Sequence, residues 1–190
     1  MWKRRFLAPA LAMLFLTAPA VVAINVPRQS PELAINLPDG KQVLLSQYQG
    51  KVVVVAFILT WCPHCQKTIG YLGKDQNAYG PRGLQVLASA IEDVARANLP
   101  AFIRQFNPPF PVGFDNQTVA INYLEHPPML IPHMPILVFI DRQGMIRAQY
   151  EGDDKFFSED RLEKNLSDKI EELLKEGTAG AKKRVAVPKK

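Results

Sequence analysis

Cys62 and Cys65 are the only cysteines of the 190-residue chain, and two residues separate them. A pair spaced in this way can alternate between a dithiol and a disulfide. The β-branched apolar run before the pair predicts a buried strand, and Pro63 predicts that a helix begins there. The free N–H groups and positive potential of a helix N-terminus stabilise a thiolate. The spacing therefore predicts thiol–disulfide redox chemistry.

The order of the two cysteines predicts different roles for them. Cys62 lies at the predicted helix start and is expected to be the exposed nucleophile. Cys65 lies one turn further and is expected to be more buried and to resolve the mixed disulfide. Pro63 and His64 are expected to tune the couple, because a donor or positive charge near the Cys62 sulfur favours the reduced form.

The elements that would position this pair alternate between strands and helices. Segments 32–37 and 41–45 flank a turn signal and predict an N-terminal hairpin, preceded by a polar lead at 25–30. The other predicted strands are 51–59, 84–91, 110–114, 136–140 and 145–150, and the predicted helices are 63 to 71 or 79, 94–106, 118–124 and 159–174, the last capped by Ser158. This order predicts an α/β fold with a mixed sheet and helices on both faces.

The net charge of +5 is concentrated at the two ends of the chain. Residues 1–23 combine basic residues, an apolar run and small residues before a cut after Ala23, which is typical of a signal peptide; a retained anchor is the alternative. Residues 177–190 are interpreted as a flexible basic tail after a domain at 24–176. In that remaining domain acidic residues outnumber basic ones, so no nucleic-acid partner is predicted.

These ends also bear on localisation. The signal peptide predicts a periplasmic or otherwise exported protein. The simplest interpretation of the basic tail is a solvated end without a function, and the alternative is a weak attraction to anionic lipid or to an acidic partner. The N-terminal segment would add to a membrane association if it were retained.

Four stretches of the sequence carry a family resemblance. They are 37–41 with 45–51, 61–65, 134–141 and 144–146. They resemble the thioredoxin superfamily, specifically the TlpA/ResA-like exported thiol–disulfide oxidoreductases, and the first stretch is an entry of the AhpC/TSA type. The resemblance covers residues 30–174. It implies a thioredoxin-like fold and protein thiols and disulfides as substrates, and no cofactor is assigned. A reductase in an oxidising compartment needs an electron donor, so a membrane thiol carrier is the expected partner.

The resemblance also implies a substrate-binding region beside the cysteines. Pro135 is expected to follow a cis peptide bond, and Met134 to pair with an extended substrate segment. Trp61 is expected to cover the rim of the site, with a core aromatic as the alternative.

The chain departs from the family where an acid assists the second cysteine. Ala56 and Thr68 occupy the two positions at which related proteins carry a carboxylate. Water, Thr60, Thr68 or an acid elsewhere in the chain would therefore have to assist Cys65.

Three other functions compete with a reductase. The Pro63–His64 dipeptide resembles that of a DsbA-like oxidase, whereas the whole chain favours a reductase. A copper-binding chaperone would use Cys62 and Cys65 with His133 as ligands, although no metal is assigned. The remaining loop histidine, His126, is interpreted as structural or solvated. A peroxidase is disfavoured, because Val55 and Leu59 stand where that activity needs a proline and a hydroxyl.

Overall fold

The computed structural model describes residues 25–185, including the side chains of residues 25–176. The strands are β1 (Arg28–Gln29), β2 (Ala34–Asn36), β3 (Gln42–Leu44), β4 (Val52–Ile58), β5 (Leu84–Ala90), β6 (Val112–Phe114), β7 (Ile136–Ile140) and β8 (Met145–Tyr150). The α-helices are α1 (Pro63–Tyr79), α2 (Ala95–Phe106), α3 (Gln117–Leu124) and α4 (Leu162–Val185). Each predicted strand and helix occurs in the predicted order, and β1 is additional.

The strands form one mixed sheet in the order β1-β8-β7-β4-β5-β6-β2-β3. β4 is central, because it runs parallel to β5 on one side and antiparallel to β7 on the other. All seven residues of β4 are buried. A continuous β-branched run forms such a strand because both of its faces can then contact apolar side chains. The predicted mixed sheet is therefore confirmed.

The N-terminal hairpin is confirmed, and its edge extends the sheet. β2 pairs with β3 over three residue pairs and meets β6 through Asn36 and Phe114. The prediction of a polar lead without a strand at 25–30 is wrong for two residues, because Arg28–Gln29 forms β1 and pairs antiparallel with β8. Two residues carry no local strand pattern, so only the distant partner strand reveals β1.

Helices cover both faces of the sheet. On one face α1, α2 and α4 pack with alternate residues of β4, including Val54 and Ala56. On the other face α3 and the hairpin pack with the intervening residues, including Val53 and Val55. The alternation of side chains along a strand sends neighbouring residues to opposite cores.

The last helix differs from its predicted boundaries at both ends. Ser158 does not cap it, because the Ser158 hydroxyl donates to the Lys155 carbonyl oxygen at 2.7 Å, and the helix begins only at Leu162. It continues to Val185 instead of ending at Leu174, so residues 177–185 of the predicted flexible tail are helical. Two glycines there cost a helix about 1 kcal/mol each, but the alanines and lysines around them favour it.

The two chain ends limit what the structure tests. The predicted signal peptide at residues 1–23 lies outside the described residues, and the predicted domain limits of 24–176 stay a prediction. Among the helices within residues 25–185, none has the length and apolar composition to cross a membrane.

Leu72 tests how strongly α1 depends on packing against the sheet. Its side chain is fully buried in the same cluster as Cys65. We expect Leu72→Ala to lower the free energy of unfolding by about 3 kcal/mol, because it leaves a cavity in a packed core. Leu130→Ala is the matched control, since Leu130 is 62% exposed and the loss there should stay within about 0.5 kcal/mol. Urea denaturation measures both; equal midpoints would contradict the prediction.

Candidate active site

The two cysteines lie at the point where the central strand passes into α1. After β4 ends, the Cys62 N–H donates to the Leu59 carbonyl oxygen at 3.1 Å and closes a tight turn. Cys62 is the N-cap of α1, and Pro63 is the first helical residue. Proline fits there because the first helical N–H has no intrahelical acceptor. The predicted strand–turn–helix position of the pair is confirmed.

The helix N-terminus directs a hydrogen bond at the first sulfur. The Cys65 N–H donates to Cys62 Sγ at 3.4 Å. This is the cap position that an oxygen side chain usually fills, and a negative sulfur accepts such a bond better than a neutral one. The arrangement places Cys62 Sγ at the end of the helix where the positive potential is highest.

The two thiols differ in exposure, and neither is in a disulfide. Cys62 is half-buried, whereas Cys65 is fully buried among the residues of the main core cluster. Burial raises the pKa of the Cys65 thiol well above its usual range, and Cys62 and the charge of Glu92 act in the same direction. A buried environment disfavours the charged sulfur. Cys65 therefore needs a proton acceptor before it can attack.

Glu92 is the site residue that sequence reasoning missed. Its Oε1 accepts hydrogen bonds from the Thr60 N–H at 3.0 Å and from the Thr60 hydroxyl. The sequence carried a signal for this contact: 51–59 and 84–91 are both predicted strands, and Thr60 and Glu92 each come directly after one of them. In the structure the strands are parallel, with Ile58 opposite Ala90, so residues beyond their carboxyl ends meet.

The hydroxyls of the two threonines considered as aids to Cys65 both make hydrogen bonds to other groups. The Thr68 hydroxyl donates to the His64 carbonyl oxygen at 2.8 Å. The Thr60 hydroxyl donates to Glu92 and accepts from the Asn98 side chain at 3.3 Å. Neither hydroxyl is left as a simple donor to a sulfur, which points to the acid beside Thr60.

Met134 and Pro135 directly precede β7, at the end of the sheet where β4 ends. Phe57 lies opposite Ile136, so Pro135 comes next to the last residue of β4. The Met134–Pro135 peptide bond is cis. Met134 packs against the cores on both faces of the sheet. Within residues 25–185 no hydrogen bond holds its backbone N–H, which leaves that group open for another chain.

Trp61 and His64 are both on the surface beside the half-buried Cys62. Trp61 is 65% exposed, so the alternative of a core aromatic is wrong. Exposed rings beside a reactive sulfur give a partner protein apolar area to contact.

His133 does not join the cysteines. The three-residue cluster of metal-ligand type within residues 25–176 combines His133 with Glu151 and Asp153, and it contains neither thiol. His133 Nδ1 lies 3.5 Å from Asp153 Oδ2. The alternative copper set of Cys62, Cys65 and His133 is therefore not assembled, because the loop turns the imidazole towards the acids after β8.

His126 is structural, in agreement with one of its two interpretations. It is buried, and its Nε2 lies 3.3 Å from Glu151 Oε1. The other oxygen of Glu151 accepts from the His133 N–H at 3.3 Å. Glu151 thus links the loop after α3 to the segment that leads into Met134.

Comparisons with known proteins agree with this geometry. The sequence matches the AhpC/TSA family over residues 26–149. It is 26% identical to the thiol-disulfide oxidoreductase ResA of Bacillus thuringiensis subsp. konkukian, over 75% of this chain and 78% of the relative. It is also 26% identical to a ResA of Geobacillus thermodenitrificans, over 68% of this chain and 71% of that relative.

The solved structures support the fold. A thiol:disulfide interchange protein of the thioredoxin family from Chlorobium tepidum TLS superposes with a TM-score of 0.65 at 20% identity. The match covers 80% of this chain and 99% of the other. The predicted thioredoxin-like α/β fold is confirmed.

Proposed function

Because the chain belongs to the AhpC/TSA family of thioredoxin-like proteins, we propose that it is a thiol–disulfide oxidoreductase that acts on protein disulfides through Cys62 and Cys65. The observation that carries this proposal is the unequal exposure of the two free thiols at the start of α1: Cys62 is half-buried and Cys65 is buried. A half-buried sulfur that accepts an N–H bond can meet a substrate, and a buried sulfur three residues away can complete the exchange. Relatives named thiol-disulfide oxidoreductase ResA support the same activity.

In the reducing direction the chemistry has two steps. The Cys62 thiolate attacks a substrate disulfide, a mixed disulfide forms, and one substrate sulfur leaves as a thiolate. Cys65 then loses its proton and attacks the Cys62 sulfur, and the second substrate sulfur leaves as a thiolate. The protein ends as the Cys62–Cys65 disulfide, and the substrate has gained two electrons.

The residues around Cys62 are proposed to orient the substrate. An extended segment would pair with the unpaired Met134 N–H, as a strand is added to a sheet. Trp61 would contact the same segment from the rim, and Pro135 would hold Met134 at the edge of the sheet. His64 and Pro63 would tune the couple from the first turn of α1.

The proposed location is extracytoplasmic. The basic, apolar and small-residue pattern of residues 1–23 supports export. In an oxidising compartment the disulfide of a reductase must be reduced again after each turnover, so we propose a membrane thiol carrier as its electron donor. The basic residues near the C-terminus would add a weak attraction to anionic lipid.

The reduction potential distinguishes a reductase from an oxidase. We expect the Cys62–Cys65 couple to lie nearer about −270 mV, the thioredoxin value, than about −120 mV, the DsbA value. Equilibration with glutathione or dithiothreitol buffers, followed by alkylation of free thiols, measures it. The same preparation should accelerate the reduction of insulin by dithiothreitol. A potential near the DsbA value would reverse the proposed direction, and no acceleration would contradict the reductase activity.

A further inference from the structure

The unpaired oxygen of Glu92 has a consequence for the second step of the exchange. Oε1 of this carboxylate is occupied by Thr60, but Oε2 is buried and has no hydrogen-bond partner among the described residues. A buried carboxylate oxygen without a partner costs free energy, so its position needs a reason. Such an oxygen is well suited to receive a proton.

The surroundings of Glu92 hold the carboxylate beside the cysteines. The Ile91 N–H donates to the Ile58 carbonyl oxygen at 3.1 Å, which continues the β4–β5 pairing up to Glu92. Thr60 is in turn fixed from α1, because Gln66 Nε2 donates to the Thr60 carbonyl oxygen at 2.9 Å. The carboxylate is therefore clamped, through Thr60, to the turn that carries Cys62 and to the first turn of the helix that carries Cys65.

Glu92 also has a path to solvent. It lines a cavity of about 330 Å³ together with Leu59 and Met134. A proton that reached Glu92 could leave through this cavity, on the side where a substrate would bind. Cys65 itself is fully buried, so its thiol proton has no such direct route.

We propose that Glu92 accepts the thiol proton of Cys65 as Cys65 attacks the mixed disulfide. The S–H bond of Cys65 breaks and the proton passes to Oε2 of the carboxylate. The Cys65 electron pair forms the bond to Cys62 Sγ, and the bond from Cys62 to the substrate sulfur breaks, releasing a thiolate. Glu92 later returns the proton to solvent. This role deepens the proposed function and rests on it.

The charged groups at this position are few within the described part of the chain. Cys65 interacts electrostatically with Glu92 from α1, and Asp93 lines the same cavity as Glu92. Thr60, which donates to Glu92, and Asn98, which donates to Thr60, are both uncharged. A matched pair of variants can therefore separate the carboxylate of Glu92 from that of its neighbour.

The test follows both steps with the small disulfide 5,5′-dithiobis(2-nitrobenzoate). Attack by Cys62 releases the first nitrothiolate, and attack by Cys65 releases the second. We expect Glu92→Gln to leave the first release unchanged and to slow the second by at least about tenfold. The glutamine keeps an oxygen for Thr60, so the local fold should persist. Asp93→Asn, with the same loss of charge next door, should change neither release.

The pH profile separates proton transfer from a structural role. In the wild-type protein the second release should vary little across neutral pH, because a carboxylate within the site takes the proton and no hydroxide from solvent is needed. In Glu92→Gln it should rise steadily with pH, as hydroxide takes over. A second release unchanged by Glu92→Gln would overturn the proposal, as would equal slowing by Asp93→Asn. Loss of insulin reduction with both releases intact would instead contradict the proposed function and leave the role of Glu92 standing.

Discussion

Cys62→Ser is expected to reduce disulfide exchange below detection, a loss of at least about 10³-fold. A serine hydroxyl at the N-cap still accepts the Cys65 N–H, so α1 should keep its start. The hydroxyl does not ionise near neutral pH and does not form a mixed disulfide. Insulin reduction and nitrothiolate release both measure the loss.

Cys65→Ser is the matched variant for this result. It removes the same atom from the same turn, but from the buried position that is proposed to act second. It should still attack through Cys62 and then remain trapped as a mixed disulfide, which mass spectrometry of the intact protein detects. Activity at the wild-type level in Cys62→Ser, with an unchanged thermal midpoint, would disprove the assignment of the nucleophile.

Gly152→Ala is expected to lower the reduction of protein disulfides by about 100-fold, the scale set by a misplaced contact of about 1 Å. An added β-carbon would overlap the Met134 carbonyl oxygen and lie 2.7 Å from the carbonyl carbon. Both neighbours are backbone atoms. The Gly152 N–H also donates to the His133 carbonyl oxygen at 2.7 Å, so the two segments cannot separate without losing a hydrogen bond. The substitution must therefore displace Met134.

Two comparisons make this prediction specific to substrate orientation. A small disulfide does not need to pair with Met134, so the first nitrothiolate release should be nearly unchanged in Gly152→Ala. Gly70→Ala makes the same chemical change in α1, where an added β-carbon meets nothing within 4 Å. That control should keep full activity and gain up to about 1 kcal/mol of stability from helix propensity. Normal insulin reduction by Gly152→Ala would exclude Met134 as the orienting residue.

The sequence predicts best where the decisive information is local. The apolar run of seven residues in β4 predicts a strand without knowledge of its partner strands, and Pro63 after Cys62 predicts a helix start close by. The position of the redox pair follows from those two signals alone.

What could not be predicted depends on pairs that are distant along the chain. β1 exists because β8 lies beside it, and Glu92 reaches Thr60 only once β4 and β5 are in register. His133 turned towards Asp153 instead of the thiols for the same reason, since loop direction is set by the strands that the loop joins. The end of α4 was predicted too early, because two glycines after Leu174 indicated a helix stop although the residues around them favour a helix.

The unequal exposure of the two sulfurs also orders events in time. Cys65 has no accessible surface, so every large molecule must exchange with the protein through Cys62. The proposed electron donor and a protein substrate would therefore compete for one sulfur and could not be bound to it together. Turnover in the proposed function would then proceed as two alternating half-reactions, and the relative rates of the two would set whether the pair rests as dithiol or disulfide.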